Sequence, residues 1–335
     1  MSILPLVRGL PAWQARCVST QSTQAVRDEK KTGPARRAGL VAWVSLLIVY
    51  VVWGSTYLGI RVGVETMPPL LMAAARFLVA GLIMFPLALR QWRSARPGRR
   101  WPSRQEWLGC AIVGVLLLVA NGMVGVGEKT VPSGLAALLV ATVPLWLLGL
   151  DAALNHARVG LAPLAGLLLG LAGVALLSGL GDASSGTSVA GVIIILAAAS
   201  SWALGIIMAR RATIPSSPAL ASAMQLLAGG AALLLIATAA GEFSSLRLGE
   251  VSARSWIALG YLIVFGSIVA FSAFGIAVRA LPTTTVATYT YVNPVVAILL
   301  GSLILNERLT PATIAGGVLI VGAVVLVVRR SPPAP

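Results

Sequence analysis

Ten runs of about twenty apolar residues leave this chain very few ways to fold. They cover 41–60, 69–89, 107–126, 132–154, 159–180, 189–209, 219–240, 256–278, 284–305 and 313–328. A helix of that length crosses the hydrocarbon core of a bilayer. None of the runs alternates apolar with polar residues, as the strands of a membrane β-barrel would. Backbone N–H and C=O groups in lipid must be satisfied within the segment, so each run is read as a helix. Only 10% of the 335 residues are charged, against about 25% in a soluble domain. Such a chain cannot cover itself with polar surface. That excludes a water-soluble enzyme, and the expected fold class is an all-α polytopic membrane protein with ten transmembrane helices.

The formal net charge of +15 follows the spans. With a cytoplasmic N-terminus, nineteen of the 25 Lys and Arg residues fall on the inner side and five on the outer. The remaining one, Arg76, lies within a span. Positive residues favour the cytoplasmic face, which places both termini inside. This accounts for the charge without a nucleic-acid partner. Residues 1–39 are polar and basic, lack a signal-peptide pattern, and are read as a disordered cytoplasmic tail. Residues 329–335 form a second cytoplasmic tail. Two cysteines and one histidine give no disulfide framework and no metal-ligand cluster. No cofactor is expected, and there is no phosphate loop for ATP.

The chain repeats itself with a shift of about 150 residues. Gly125 pairs with Gly275, Lys129 with Arg279, Pro132 with Pro282 and Pro144 with Pro294. At a shift of 149, Trp53 pairs with Trp202, Arg76 with Gln225, Leu78 with Leu227 and Gly81 with Gly230. The repeats are expected at 41–180 and 189–328, with five helices each. Five is odd, so the second copy enters the membrane from the opposite side. The expected architecture is two inverted five-helix repeats, a common plan of secondary transporters.

Several motifs carry a resemblance. They are Trp53-Gly54-Ser55-Thr56-Tyr57, Arg76-Phe77, Val131-Pro132-Ser133-Gly134 through Ala141-Thr142-Val143-Pro144, Asn293-Pro294, and Asn306-Glu307-Arg308-Leu309-Thr310. Together they resemble the EamA family of the drug/metabolite transporter superfamily, in particular its bacterial inner-membrane exporters. The resemblance covers residues 45–328. It implies ten helices, two EamA repeats and export of metabolites or amino-acid-like compounds. It also implies an acidic residue before the last helix of each repeat. The second repeat has Glu307; the first has Asn155-His156.

The candidate site follows from chemistry within the spans. Pro144 frees the carbonyl of Val140 and Pro294 that of Thr290, because proline cannot donate to the residue four back. Interrupted helices at matching places point to a solute site. Thr142, Trp146, Tyr289, Tyr291 and Asn293 flank these positions. Trp53, Tyr57 and Trp202 add aromatic surface, and Asn121 adds a polar group. Arg76 is read either as a carboxylate contact or as a cation snorkelling to the outer interface, with uncharged Gln225 at the matching place. Asp151 and Glu128, the latter beside Lys129, lie near span ends and are read as plain interface charges, with proton coupling as the alternative and Asp151 the better candidate for it. Gly166 and Gly170 give a small-xxx-small face. It is read as packing within the monomer, with a homodimer as the alternative.

The partners expected are a small-molecule solute and the bilayer. The function expected is secondary export in a bacterial inner membrane. An importer on the same fold, or a non-transporting sensor, is the alternative. No span carries the base, nucleophile and metal set that an intramembrane enzyme needs.

Overall fold

The computed structural model describes residues 39–94, 101–155, 188–281, 283–286, 288–307 and 309–330, and 165–166, 168–170, 172–173 and 176 between them. Every regular element among them is helical. The longer ones, in chain order, are α1 Gly39–Gly63, α2 Pro69–Ser94, α3 Arg104–Gly127, α4 Ser133–Val140, α5 Val143–Asn155, α6 Val189–Arg211, α7 Pro218–Ala239, α8 Ala253–Tyr261, α9 Ala270–Ala280, α10 Tyr289–Leu305 and α11 Pro311–Arg330, with short turns of helix at Glu242–Ser245, Leu248–Glu250 and Thr283–Val286. A π-helical segment, Leu262–Val269, joins α8 to α9 without a break.

Seven stretches are long and apolar enough to cross a membrane: α1, α2, α3, α4 with α5, α6, α7, and α8 through α9. Two shorter apolar stretches, Val292–Leu305 and Ile314–Ala323, lie within α10 and α11. Most of the fifth expected span, 159–180, lies outside the described residues, as do residues 1–38 and 331–335 of the expected tails, whereas Gly39 begins α1 and Arg329 and Arg330 end α11. Leu235, Ile257 and Leu303 are 72%, 73% and 77% exposed. An apolar surface of that kind is stable against lipid, not water. The protein is a polytopic membrane protein.

Serine hydroxyls start several helices. Ser103 accepts from the Glu106 amide at 3.2 Å, and the Glu106 carboxylate accepts from the Ser103 amide at 2.8 Å, a reciprocal cap on α3. Ser188, Ser217 and Ser252 cap α6, α7 and α8 through one hydroxyl acceptor each.

Glycines set how closely the helices approach. A Cβ on Gly81 of α2 would lie 3.0 Å from the Leu227 amide, and one on Gly230 of α7 would lie 3.0 Å from the Leu78 amide. The contacts are reciprocal, so α2 and α7 cross antiparallel with their backbones nearly touching. A Cβ on Gly114 of α3 would lie 2.8 Å from the Gln225 Cα. Close approach through small residues is how membrane helices gain packing energy.

One end of the bundle is tied by acids. Glu242, in the turn after α7, accepts from the amides of Leu70 and Leu71 at 3.3 and 2.9 Å, at the start of α2. Glu307, after α10, accepts from the Ser133 amide and hydroxyl and the Gly134 amide at 2.9, 3.0 and 3.3 Å. Both carboxylates sit where the positive end of a helix dipole favours an anion. Changing Glu307 to Gln removes the charge from this cap and should cost about 1 kcal/mol. A lowered melting temperature in detergent is the expected result; an unchanged one contradicts the assignment.

Candidate functional site

The fourth expected span is broken in two. α4 ends at Val140, Ala141 and Thr142 form a turn, and α5 begins at Val143. Pro144 is the cause, since it has no N–H for the Val140 carbonyl. The Thr142 hydroxyl donates to the Leu139 carbonyl at 2.6 Å, beside the Thr142 amide, which donates to the same carbonyl at 3.2 Å. Pro294 behaves differently. It lies inside the continuous α10, Tyr289–Leu305, which a separate short helical turn at Thr283–Val286 precedes. α10 therefore starts at Tyr289, five residues later than the span expected from residue 284. The Thr288 hydroxyl donates to the Thr285 carbonyl across the step.

The break in the fourth span opens onto a central cavity. Its wall takes Trp53, Tyr57 and Ile60 from α1, Arg76 from α2, Asn121 from α3, Val140 and Ala141 at the break, Trp202 from α6, Phe271 from α9, and Tyr289, Asn293 and Pro294 from α10. Elements from both sides of residue 180 thus enclose one space. Ala120, Ala137, Ala198 and Ala199 complete the wall with methyl groups, which leaves the middle open.

Trp53 is the hub of the aromatic side. Its ring meets Phe271, Phe274 and Tyr289 at centroid distances of 5.4, 5.0 and 5.3 Å. Edge-on and tilted packing of this kind holds rings rigidly. The Trp53 indole Nε1 donates to the Gly266 carbonyl at 3.3 Å. Gly266 lies in the π-helical segment, where the wider turn displaces carbonyls from their regular partners.

Arg76 is 2% exposed and does not snorkel. The π-helical segment accounts for this. Ser267 turns its hydroxyl to accept from Arg76 Nε at 2.9 Å, and Gly266 leaves room: a Cβ there would lie 2.9 Å from Arg76 Nη2. The Asn121 carbonyl oxygen accepts from Arg76 Nη1 at 3.2 Å. The guanidinium carbon lies 4.7 Å from the Phe77 ring centre. Among the described residues, no carboxylate comes within 4.0 Å of it. The cavity thus carries a buried guanidinium whose bonded partners here are neutral.

The structure brings together Trp53, Tyr57, Arg76, Asn121, Trp202, Tyr289, Asn293 and Pro294. It leaves four expected residues off the wall. Thr142 and Pro144 shape the break without lining the cavity. Trp146 packs with Val143, Ala199 and Ala203. Gln225 lies where α7 crosses α3, its backbone against Gly114, so the match to Arg76 in the repeat is not a match in position at the site. The side chains of Tyr291 and Asp151 lie outside the described residues. Glu128 is off the wall and wholly buried. Sequence reasoning missed Phe271 and Ser267, because in the largely apolar stretch 262–271 a lone serine and a phenylalanine read as ordinary span residues and nothing marks the π-helical segment that carries Ser267.

Replacing Pro144 by Ala should let α4 and α5 join into one helix. Solute flux is expected to fall severalfold with membrane expression intact; normal flux would remove the break from the mechanism.

Comparison with known proteins decides what this cavity belongs to. The model of the EamA-like transporter family matches residues 41–179 and again residues 189–329. The chain belongs to the EamA-like transporter family. The uncharacterized inner membrane transporter YedA of Escherichia coli K12 is 40% identical over 286 residues, which are 84% of this chain and 89% of YedA. A probable amino-acid metabolite efflux pump of the same organism is 30% identical over 298 residues, 85% of this chain and 93% of the pump. A crystal structure with 23% identity superposes at a TM-score of 0.56, covering 88% of this chain and 99% of the other; it is similar in fold. An EamA-like chain with a cavity of this kind is a membrane transporter, not an enzyme.

Proposed function

We propose that the chain exports small organic metabolites, amino-acid-like compounds among them, from the bacterial cytoplasm across the inner membrane by alternating access. The observation that carries this reading is the central cavity, walled by helices from both halves of the chain and holding a buried guanidinium. A solute with a carboxylate meets Arg76, and its apolar part meets Trp53, Tyr57, Trp202 and Tyr289. The name of the similar efflux pump supports the direction and the solute class, and that of the similar transporter supports the inner membrane.

The two halves, 41–180 and 189–328, are inverted in this reading, each with five helices, and both termini are cytoplasmic. The reciprocal crossing of α2 and α7 supports it. Leu78 and Gly81 correspond to Leu227 and Gly230 in the repeat, and each glycine meets the other half's leucine. Corresponding helices that cross antiparallel are what a two-fold axis in the membrane plane produces. Rocking one half against the other then exposes the cavity to each side in turn. Gly170 packs on Leu145 and Gly173 on Ile320, which supports packing within one chain for the small-residue face rather than a homodimer.

The test is a comparison of metabolites in the medium of overexpressing and deleted cells, followed by flux of the enriched solute in oriented proteoliposomes. Outward accumulation is expected. Uptake of the solute by intact cells would reverse the direction, and no flux of any enriched solute would sink the reading.

A further inference from the structure

Glu128 is the most unusual acid among the described residues. It follows α3 directly, one residue past the membrane-crossing stretch, and its amide donates to the Val124 carbonyl. Its side chain is 0% exposed, and neither carboxyl oxygen has a hydrogen-bond partner among the described residues. An ionised carboxylate in that state is far costlier to hold than a neutral carboxylic acid.

None of the charged or titratable groups described around it bonds to its carboxyl group. From α1, the Arg61 guanidinium donates to the backbone carbonyl of Glu128, not to its carboxyl group. From the loop after α10, Glu307 is occupied with the start of α4. From the cavity side, Arg76 of α2 and Tyr57 of α1 lie within electrostatic reach. Lys129 is its chain neighbour, and it points out to the exposed surface. The first turn of α6 seals the remaining side with Gly191 against Thr130 and Val131, and carries no titratable group. Burial lifts the carboxyl well above the usual carboxylate range, Glu307 adds to the rise, and Arg61 and Arg76 oppose it.

We propose that Glu128 is a proton-binding site of the transport cycle, occupied while the Glu307 end of the bundle is packed shut and emptied when that end opens to water. On opening, the Glu128 O–H bond breaks and its proton passes to an entering water molecule. The carboxylate left behind is then hydrated and free to pair with Arg61. The linkage has a fixed sign. The shut form binds the proton more tightly, so falling pH favours the shut form and rising pH favours the open one. This proposal rests on the transporter reading but is tested without flux.

The experiment uses the full chain in lipid nanodiscs, with no solute added. Infrared spectra are recorded as pH rises from neutral. Alongside, spin labels on Val189→Cys and Leu309→Cys, with Cys17 and Cys110 replaced, report the distance across the Glu307 end. Both sites are exposed, at 53% and 44%. The expected result is a carbonyl stretch of a protonated, non-hydrogen-bonded carboxylic acid at neutral pH. It disappears at alkaline pH with the same midpoint at which the distance lengthens. Glu128→Gln, which has the shape of the protonated acid, should lose the band and keep one distance at every pH. Glu307→Gln should keep the band. A missing band at neutral pH, a band that survives in Glu128→Gln, or a distance indifferent to pH while the band titrates would each overturn the proposal. Loss of flux with these spectra intact would count against the solute assignment instead.

Discussion

Arg76→Ala is expected to lower flux of carboxylate-bearing solutes by about 10–100-fold and flux of neutral solutes far less. A hydrogen bond to a charged group contributes about 1.5–3 kcal/mol, and each 1.4 kcal/mol is about tenfold in affinity. Nε and Nη1 of Arg76 are bound by Ser267 and Asn121, which fixes the plane of the guanidinium. A carboxylate meeting a pre-oriented fork gives up less rotational freedom than one meeting a mobile lysine. The check is competition between anionic and neutral analogues of the same solute in proteoliposomes. Equal loss for both would make Arg76 a structural tie between α2, α3 and the π-helical segment, and the anion reading would fall.

Gly229→Ala is expected to disrupt the bundle, although it adds one methyl group. A Cβ at this position would collide with the Gly114 carbonyl oxygen and lie 2.7 Å from the Leu118 Cβ. The first of these is backbone, so no rotamer change relieves it, and α3 and α7 must move apart. Overpacking of that sort costs about 1–3 kcal/mol. Gly249→Ala, where a Cβ meets nothing within 4 Å, is the control. The expected outcome is a lowered melting temperature and poor recovery from the membrane for Gly229→Ala alone. Equal stability of the two variants would show that the helices are not packed as closely as described.

The sequence made the helices legible because lipid leaves a chain so little choice. The apolar runs match seven membrane-crossing stretches to within a few residues, whereas the last two expected spans meet the shorter apolar stretches Val292–Leu305 and Ile314–Ala323. Prolines made one feature of the site legible and misplaced another. Pro144 marks a true break, whereas Pro294 lies inside the continuous α10, which a separate short turn at Thr283–Val286 precedes. Eight of the expected residues reach the cavity because aromatic and polar groups in a span have few other uses. Gln225 fails for an instructive reason: correspondence in a repeat preserves the helix and the register, but the glycines at 114 and 229 draw its surroundings against α3. The burial of Glu128 was equally hidden. Beside Lys129 at a span end it reads as a surface charge, and only the packing of α3 on the start of α6 encloses it.

Labelling of two matching loops bears most directly on the whole account. Glu65 lies between the first two helices of one unit, and Ile214 lies between the first two of the other. Two single variants, Glu65→Cys and Ile214→Cys, are made in a chain whose Cys17 and Cys110 have been replaced, and cells are treated with a membrane-impermeant thiol reagent. Opposed units require the Glu65→Cys variant to react from outside intact cells and the Ile214→Cys variant to react only after the inner face is exposed. If both react from the same side, the units are parallel, and the shared solute path between them is lost.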